Sequence, residues 1–208
     1  RLVGSEMCIR DRHYTLGLGR VENAMKYCSN CGDPVVSEIP VGDNRPRFTC
    51  HSCELVHYQN PRVIVGVLPV YEDKILLCRR AIEPRLGLWT LPAGFLENGE
   101  STLDGALREC YEESYATVVD AELYALFDIP QIHQVYVFYR AKMERPEYAV
   151  SSESSEVALF AESQIPWDEL AFPVVEKALM YFFEDRKSGQ FSVKRDQIQK
   201  PWKSARNA

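Results

Sequence analysis

The chain alternates between stretches whose apolar residues follow a strand-like pattern and stretches with helical spacing. Residues 62–70 form an apolar run that is rich in β-branched side chains and typical of a strand. Glu72 and Asp73 are expected to form a turn, and residues 74–79 would form a second strand that runs back beside the first. This pattern predicts a β-hairpin. The other predicted strands cover residues 121–127, 134–143 and 156–160.

Two segments have the spacing of amphipathic helices. The first starts at Ser101 or Thr102, either of which can cap a helix with Asp104 in its first turn. The second starts at Pro173 and ends at Gly189. The order of strands, helix, strands and helix favours the α/β class, with α/β/α layers around a mixed sheet. The apolar stripes of the helices are Leu103, Ala106, Leu107, Cys110 and Ser114, and Val174, Ala178, Tyr181 and Phe182.

The first helix carries three glutamates, Glu109, Glu112 and Glu113, on a stripe beside its apolar one. Like charges at these spacings repel by roughly 0.2–0.5 kcal/mol per pair on an exposed helix. A hard divalent cation with oxygen ligands would remove this repulsion. The alternative is an ordinary solvated helix face without a ligand.

Two Cys-x2-Cys pairs, separated by 18 residues, lie near the N-terminus. This spacing suits a tetrahedral four-thiolate zinc site. We therefore predict a small structural zinc ribbon over residues 25–57, with His51 and His57 on its surface. The alternatives are a nucleic-acid or partner contact, or two disulfides. The predicted ligands are Cys28, Cys31, Cys50 and Cys53.

The remaining domain bounds follow from composition. Residues 1–24 have no sustained period and precede Met25, so we interpret them as a non-native or disordered leader. Residues 58–190 are predicted to form the main domain. Residues 191–208 are predicted to be a loose tail because they are polar.

The composition excludes several classes of protein. The 208 residues are 46% hydrophobic and 26% charged, which is enough for a packed core, and the net charge is −6. This charge argues against a broad basic surface for nucleic acid or an anionic membrane. No apolar run reaches the length of a membrane span. Cysteines in such a chain indicate metal or free thiols, and we expect a cytoplasmic location.

The segment around the first helix resembles the Nudix box, Gly-x5-Glu-x7-Arg-Glu-U-x-Glu-Glu-x-Gly-U, where U is a bulky aliphatic residue. Gly94, Glu100 and the run from Arg108 to Glu113 fit this pattern. Tyr115 stands where the box has glycine, and Cys110 and Ala116 are small for the U positions. The resemblance implies the Nudix sandwich fold and hydrolysis of a nucleoside diphosphate linked to another group.

The resemblance also implies roles for individual residues. Glu109, Glu112 and Glu113 would bind Mg²⁺ or Mn²⁺, with the Gly94 carbonyl as a further ligand. Arg108 would form an ion pair with a glutamate, which we expect to be Glu100, and would so orient the metal-binding residues. Glu100 is itself included among the candidate metal-binding residues.

A general base is expected on the polar loop that contains Ser151–Ser155, before the strand at 156–160, as in several Nudix enzymes. The candidates are Glu153 and Glu156, which could instead be exposed loop charge without a catalytic role. Arg79, Arg80 and Arg85 are the densest group of positive residues near the box. They could bind phosphate or ribose of a substrate, or could be ordinary surface charge. Trp89 could stack on a base, or could belong to the core. The candidate substrate-binding residues are Arg79, Arg80, Arg85 and Trp89.

Two groups of Nudix enzymes with a zinc knuckle could include this chain. NADH pyrophosphatases have a Ser-Gln-Pro-Trp-Pro-Phe-Pro-x-Ser run after the box, which this chain lacks. The chain is similar to the ADP-ribose/FAD pyrophosphatase group at residues 60–66, 78–85, 87–95 and 165–173. That similarity implies a small-molecule nucleotide substrate, and many enzymes of this kind are homodimers. The alternatives are an NADH or deoxynucleoside triphosphate pyrophosphatase, and a sensor that binds ADP-ribose or a nucleotide without cleaving it.

Overall fold

The structure, a computed structural model, describes residues 25–199. The interpretation of residues 1–24 as a leader lies outside the described residues, as do residues 200–208 of the predicted tail. The described chain divides into two compact units, with the boundary between Asn60 and Pro61.

The first unit is a three-stranded antiparallel sheet in the order β1-β2-β3. Its strands are short, and polar turns join them. Such a unit has too little apolar surface to form a core of its own, so it needs a staple. The strands are β1 (Val36–Glu38), β2 (Arg47–Thr49) and β3 (Val56–His57).

The second unit contains an eight-stranded sheet in the order β10-β5-β4-β9-β8-β11, in which β6 pairs with β5 and β7 pairs with β4. The pairs β4–β9 and β8–β11 are parallel and the others are antiparallel, so the sheet is mixed, as predicted. The strands are β4 (Arg62–Tyr71), β5 (Lys74–Arg80), β6 (Trp89–Thr90), β7 (Ala93–Phe95), β8 (Val118–Ile129), β9 (Gln134–Met143), β10 (Ser154–Phe160) and β11 (Lys194–Gln197).

Two helices cover the sheet, α1 (Thr102–Ser114) and α2 (Pro173–Ser188). Because successive side chains of a strand point to opposite faces, β4 contributes to two cores. Ile64 and Leu68 belong to the cluster that contains α2, whereas Val65 and Val67 belong to the cluster that contains α1. The helices therefore lie on opposite faces, and the predicted α/β/α layers are confirmed. Neither helix in the described part of the chain is long and apolar enough to span a membrane.

The prediction of a loose C-terminal tail is wrong for residues 191–199. β11 pairs in parallel with β8, and Lys194 Nζ lies 2.7 Å from Asp185 Oδ1. Phe191 and Ile198 pack against the core on the α2 face. Tertiary contacts thus order a segment whose polar sequence carries no strand pattern.

Candidate functional site

The helix that carries the glutamates begins as its sequence predicts. Ser101 is the N-cap residue: its Oγ accepts a hydrogen bond from the Asp104 N–H at 3.1 Å and donates one to Asp104 Oδ2 at 2.6 Å. Ala106 and Cys110 pack against the sheet below. The cap fixes where the helix starts, and the packing fixes its rotation, so the glutamates have set positions.

The buried face of α1 differs from the predicted stripe. Glu109 is 2% exposed and Glu113 is 6% exposed, whereas Leu103 and Leu107 are only half-buried. Glu112 is the exposed member of the three, at 46%. A solvated helix face is therefore excluded for Glu109 and Glu113, because two carboxylates without ligand or partner would not be buried together.

Arg108 holds the carboxylates together. Its guanidinium donates to Glu100 at 2.5 and 3.0 Å, to Glu109 at 2.7 Å and to Glu112 at 3.1 Å. It also reaches the Phe95 carbonyl at 3.3 Å. The pair with Glu100 is the one that the resemblance implies. One cation thus orients three acidic side chains from the loop and the helix.

β7 supplies the other wall of the site. Gly94 pairs with Val65 of β4, and a Cβ added at Gly94 would lie 2.4 Å from the Glu109 carboxyl carbon. The neighbouring Ala93 N–H donates to Glu113 Oε2 at 3.1 Å. The absence of a side chain at Gly94 therefore lets the Glu109 carboxylate lie directly against the β7 backbone.

Burial dominates the electrostatics of the site. It raises the pKa of Glu109 to about 7, although Arg108 acts in the opposite direction. It raises the pKa of Glu113 to about 8, with the charge of Glu109 adding to the effect. The groups available are hard carboxylate oxygens, which Mg²⁺ and Mn²⁺ prefer as ligands. The residues present therefore fit a divalent cation.

The structure distinguishes the two candidate bases. Glu153 lies close enough for its charge to raise the pKa of both Glu109 and Glu113. Glu156 lies opposite Arg79 in the β10–β5 pairing; the two side chains are 3.4 Å apart, and that of Glu156 is 53% exposed. Of the two candidates, Glu153 is therefore the one whose charge acts on the buried carboxylates.

The arginines before the box have different surroundings. Arg80 is 7% exposed, its Nε donates to the Pro84 carbonyl at 2.7 Å, and its charge lowers the pKa of Glu113. Arg79 instead donates to the Gly87 carbonyl at 2.8 Å. Arg85 lies in the connecting loop with a φ of 69°. Of the three, Arg80 is the buried one and acts on Glu113, a difference that the sequence does not show.

Trp89 belongs to the core. Its ring is buried and packs edge-on against Phe160, with 4.8 Å between the ring centroids. The guanidinium of Arg79 lies 5.9 Å from the Trp89 ring centroid. Of the two interpretations of Trp89, packing and base stacking, the structure supports packing.

The four ribbon cysteines converge as predicted. Their sulfur atoms all lie within 4.8 Å of one another, and none of the four forms a disulfide. Gly32 has a φ of 82°, which suits the tight turn after the first pair. Four thiols at this separation fit a tetrahedral zinc ion. The ligand set is Cys28, Cys31, Cys50 and Cys53.

The two ribbon histidines lie outside this ligand set. His51 is exposed and contacts Glu38 Oε1 at 2.9 Å. His57 was expected on the surface, but its Nε2 is buried and has no hydrogen-bond partner within residues 25–199. The strand pairing of β3, in which His57 lies opposite Phe48, explains this partial burial.

Comparisons with known families agree with this geometry. Residues 60–182 match the NUDIX domain, and residues 26–59 match the zinc ribbon family described as Nudix N-terminal. The crystal structure of a NUDIX hydrolase from Nitrosomonas europaea is 48% identical, with a TM-score of 0.79. That similarity covers 84% of this chain and the whole of the other.

More distant relatives have more specific names. A NAD-capped RNA hydrolase NudC from Vibrio parahaemolyticus is 33% identical over 98 residues, which are 46% of this chain and 35% of the relative. An ADP-ribose pyrophosphatase from Streptococcus suis has the same fold, with a TM-score of 0.54 and 22% identity over 66% of this chain and all of the other. The chain spans about a third to a half of the length of the curated relatives that it matches.

Proposed function

Because the chain belongs to the NUDIX family, we propose that it hydrolyses the pyrophosphate bond of a nucleoside diphosphate derivative with the help of Mg²⁺ or Mn²⁺. The observation that carries this proposal is the placing of two buried glutamates beside the strand that contains Gly94. Glu109 is held by Arg108, which also contacts the exposed Glu112, and Glu113 accepts a hydrogen bond from the Ala93 N–H. Because no glutamate of the box is lost, a hydrolase is favoured over a sensor that only binds the nucleotide.

The residues divide the work of the reaction. Glu109, Glu112 and Glu113, with the Gly94 carbonyl, would hold the divalent cation, which when bound neutralises phosphate oxygens and lowers the pKa of a coordinated water. Arg108 orients the carboxylates. Glu153 is proposed to take the proton of the attacking water. The water oxygen then bonds to one phosphorus, and the bridging P–O bond breaks with its electron pair on the departing phosphate.

The substrates that we propose first are ADP-ribose and FAD, which would give AMP with ribose 5-phosphate or with FMN. The support is the similarity at residues 60–66, 78–85, 87–95 and 165–173. The second candidate is an NAD-type substrate, since relatives at 33% identity are named NAD-capped RNA hydrolases. Because these relatives are named for an RNA substrate, NAD-capped RNA is also a candidate for this chain. The net charge of −6 argues against a broad basic surface but does not by itself exclude such a substrate.

The test is a product assay with ADP-ribose, FAD, NADH, NAD-capped RNA and deoxynucleoside triphosphates, with Mg²⁺ or with a chelator. We expect metal-dependent release of AMP from ADP-ribose or FAD. Hydrolysis in ¹⁸O-labelled water would place one label on the phosphorus that is attacked. Glu112→Gln should lower turnover by about 100-fold, because it removes a carboxylate that would hold the cation. Glu147→Gln, at an exposed site, should leave turnover unchanged. If all of these substrates survive intact, the hydrolase proposal fails.

A further inference from the structure

The segment that carries Glu153 is pinned to the site at both of its ends. At one end, the Ala149 N–H donates to the carbonyl of Ser114 at 2.8 Å, and Ser114 directly follows Glu113 in α1. At the other end, the Ala81 N–H donates to the Glu153 carbonyl at 2.8 Å, just after β5 ends. The segment therefore connects the end of the glutamate helix to the exit of the hairpin.

Between these two anchors the backbone forms a turn that is held by the hydroxyl group of Ser151. Ser151 Oγ accepts hydrogen bonds from the N–H groups of both Glu153 and Ser154, each at 3.2 Å. The Ser151 N–H donates to the Ser154 carbonyl at 3.2 Å. Ser154 is 1% exposed and starts β10. Serine hydroxyls commonly close such turns by bonding to the backbone two or three residues further on.

This arrangement fixes the backbone of Glu153 on both sides. Its N–H is held by Ser151 Oγ and its carbonyl by the Ala81 N–H. The pairing of β10 with β5 shifts register between Ser154 and Glu156, so the ladder does not continue regularly up to this point. The side chain of Ser151 therefore supplies an acceptor for the Glu153 and Ser154 N–H groups at the irregular start of β10.

We propose that Ser151 is a positioning residue, whose hydroxyl places the Glu153 carboxylate over the metal-binding glutamates for proton transfer from water. This inference rests on the proposed hydrolase function. It assigns a role to a serine that the sequence presents only as one of four in a polar loop. The signal that could have identified it is a serine two residues before the base candidate, which is the spacing of a side-chain-closed turn.

The inference makes a specific kinetic prediction. Ser151→Ala removes the acceptor for two backbone N–H groups, so the turn loosens and Glu153 moves. Since a misplacement of 1 Å can cost up to about 100-fold in rate, we expect kcat to fall about 10-fold. KM should stay within about twofold, because the metal-binding residues stay in place. Ser151→Thr keeps the oxygen on Cβ and should restore kcat to within about twofold of the wild-type value.

The matched control is Ser155→Ala. Ser155 Oγ also bonds to the backbone, but it is exposed and donates to the Arg79 carbonyl of β5, at 3.2 Å, whereas Ser151 Oγ accepts from the Glu153 N–H. We expect its kcat to stay within about twofold of wild type, since surface hydrogen bonds of this kind contribute little. Equal losses of kcat in Ser155→Ala and Ser151→Ala would overturn the proposal.

A double-mutant cycle separates positioning from a general structural role. If Ser151 acts through Glu153, Ser151→Ala should slow the wild type about 10-fold and should not slow Glu153→Gln any further. An additional 10-fold loss in the Glu153→Gln background would refute the positioning role. Failure of the proposed function would look different, since the wild type itself would then cleave none of the substrates.

Discussion

Replacing Arg108 with glutamine is the most direct test of how the site is held together. The change keeps a polar side chain but removes the positive charge that contacts Glu100, Glu109 and Glu112. Glu109 is then left buried without its ion-pair partner, and removing one partner of a buried pair is strongly destabilising.

The magnitude follows from the burial of the partners. Breaking a buried pair costs about 3–5 kcal/mol, and an exposed pair costs about 0–1 kcal/mol. Arg108 is mostly buried, with Glu109 fully buried and Glu112 exposed, so we take about 3 kcal/mol from the lower end of the buried range. At about 2–4 °C per kcal/mol for a protein of this size, Tm should fall by about 6–12 °C.

The loss of stability in Arg108→Gln should depend on pH. Arg108 lowers the pKa of Glu109, so the variant raises that pKa above its present value of about 7. Below pH 6, Glu109 is mainly protonated in both folded proteins, and the variant loses mainly hydrogen bonds. Above pH 7, the wild type can ionise Glu109 beside Arg108 and the variant cannot, so the unfolded chain is favoured. The drop in Tm should therefore be larger at pH 8 than at pH 6.

The assay is thermal unfolding, without divalent cations other than bound zinc, at pH 6 and pH 8. Arg145→Gln is the matched control, because Arg145 pairs with Glu147 at 3.8 Å with both side chains exposed. We expect this control to change Tm by less than about 4 °C. The reasoning is refuted if Arg108→Gln melts within 2 °C of wild type at pH 8, or no lower than Arg145→Gln.

Three further predictions follow from single positions. Gly94→Ala places a Cβ 2.4 Å from the Glu109 carboxyl group, so this group must move by about 1 Å and kcat should fall about 100-fold; retained turnover would contradict the packing. Tyr115 has a φ of 54° at the end of α1, so Tyr115→Gly should be about 1 kcal/mol more stable than Tyr115→Ala in urea unfolding, and equal stability would argue against strain. Metal analysis should find one zinc per chain, and Cys31→Ser should lose it; zinc at wild-type levels in that variant would exclude the four-thiol site.

The regular parts of the fold could be predicted because their signals are local. β9 has the predicted bounds Gln134–Met143, since its apolar run supplies residues to both faces of the sheet. β10 was predicted from Glu156 but starts at Ser154, because a register shift interrupts its ladder. β11 gave no apolar pattern and is held by contacts with distant residues, among them Asp196 with Tyr181 and Lys177. Contacts of that kind have no signature in a short window of sequence.

The same distinction applies to the site. The three glutamates lie within one helix, so fixed helical geometry allowed sequence spacing to predict that they share one side of it. The pairing of Arg108 with Glu100 was implied by the resemblance to the Nudix box. The differences between Glu153 and Glu156, and between Arg79 and Arg80, depend on how β10 and β5 pair and on where their loops turn. Those differences arise from tertiary structure, and the polar loop sequence alone left both pairs open.

The raised pKa values of Glu109 and Glu113 link the fold to the cation that it is built to bind. Both carboxyls titrate near 4.5 when unfolded and at about 7 and 8 when folded. As pH rises through this window, the unfolded chain releases protons that the folded chain retains, so the metal-free fold loses stability with increasing pH. A bound divalent cation stabilises the ionised carboxylates and removes that loss. The rise in Tm caused by saturating Mg²⁺ should therefore increase between pH 5.5 and 8.5, and the increase should be smaller in Glu109→Gln. If Mg²⁺ raised Tm equally at pH 5.5 and pH 8.5, the cation would not be displacing protons from Glu109 and Glu113.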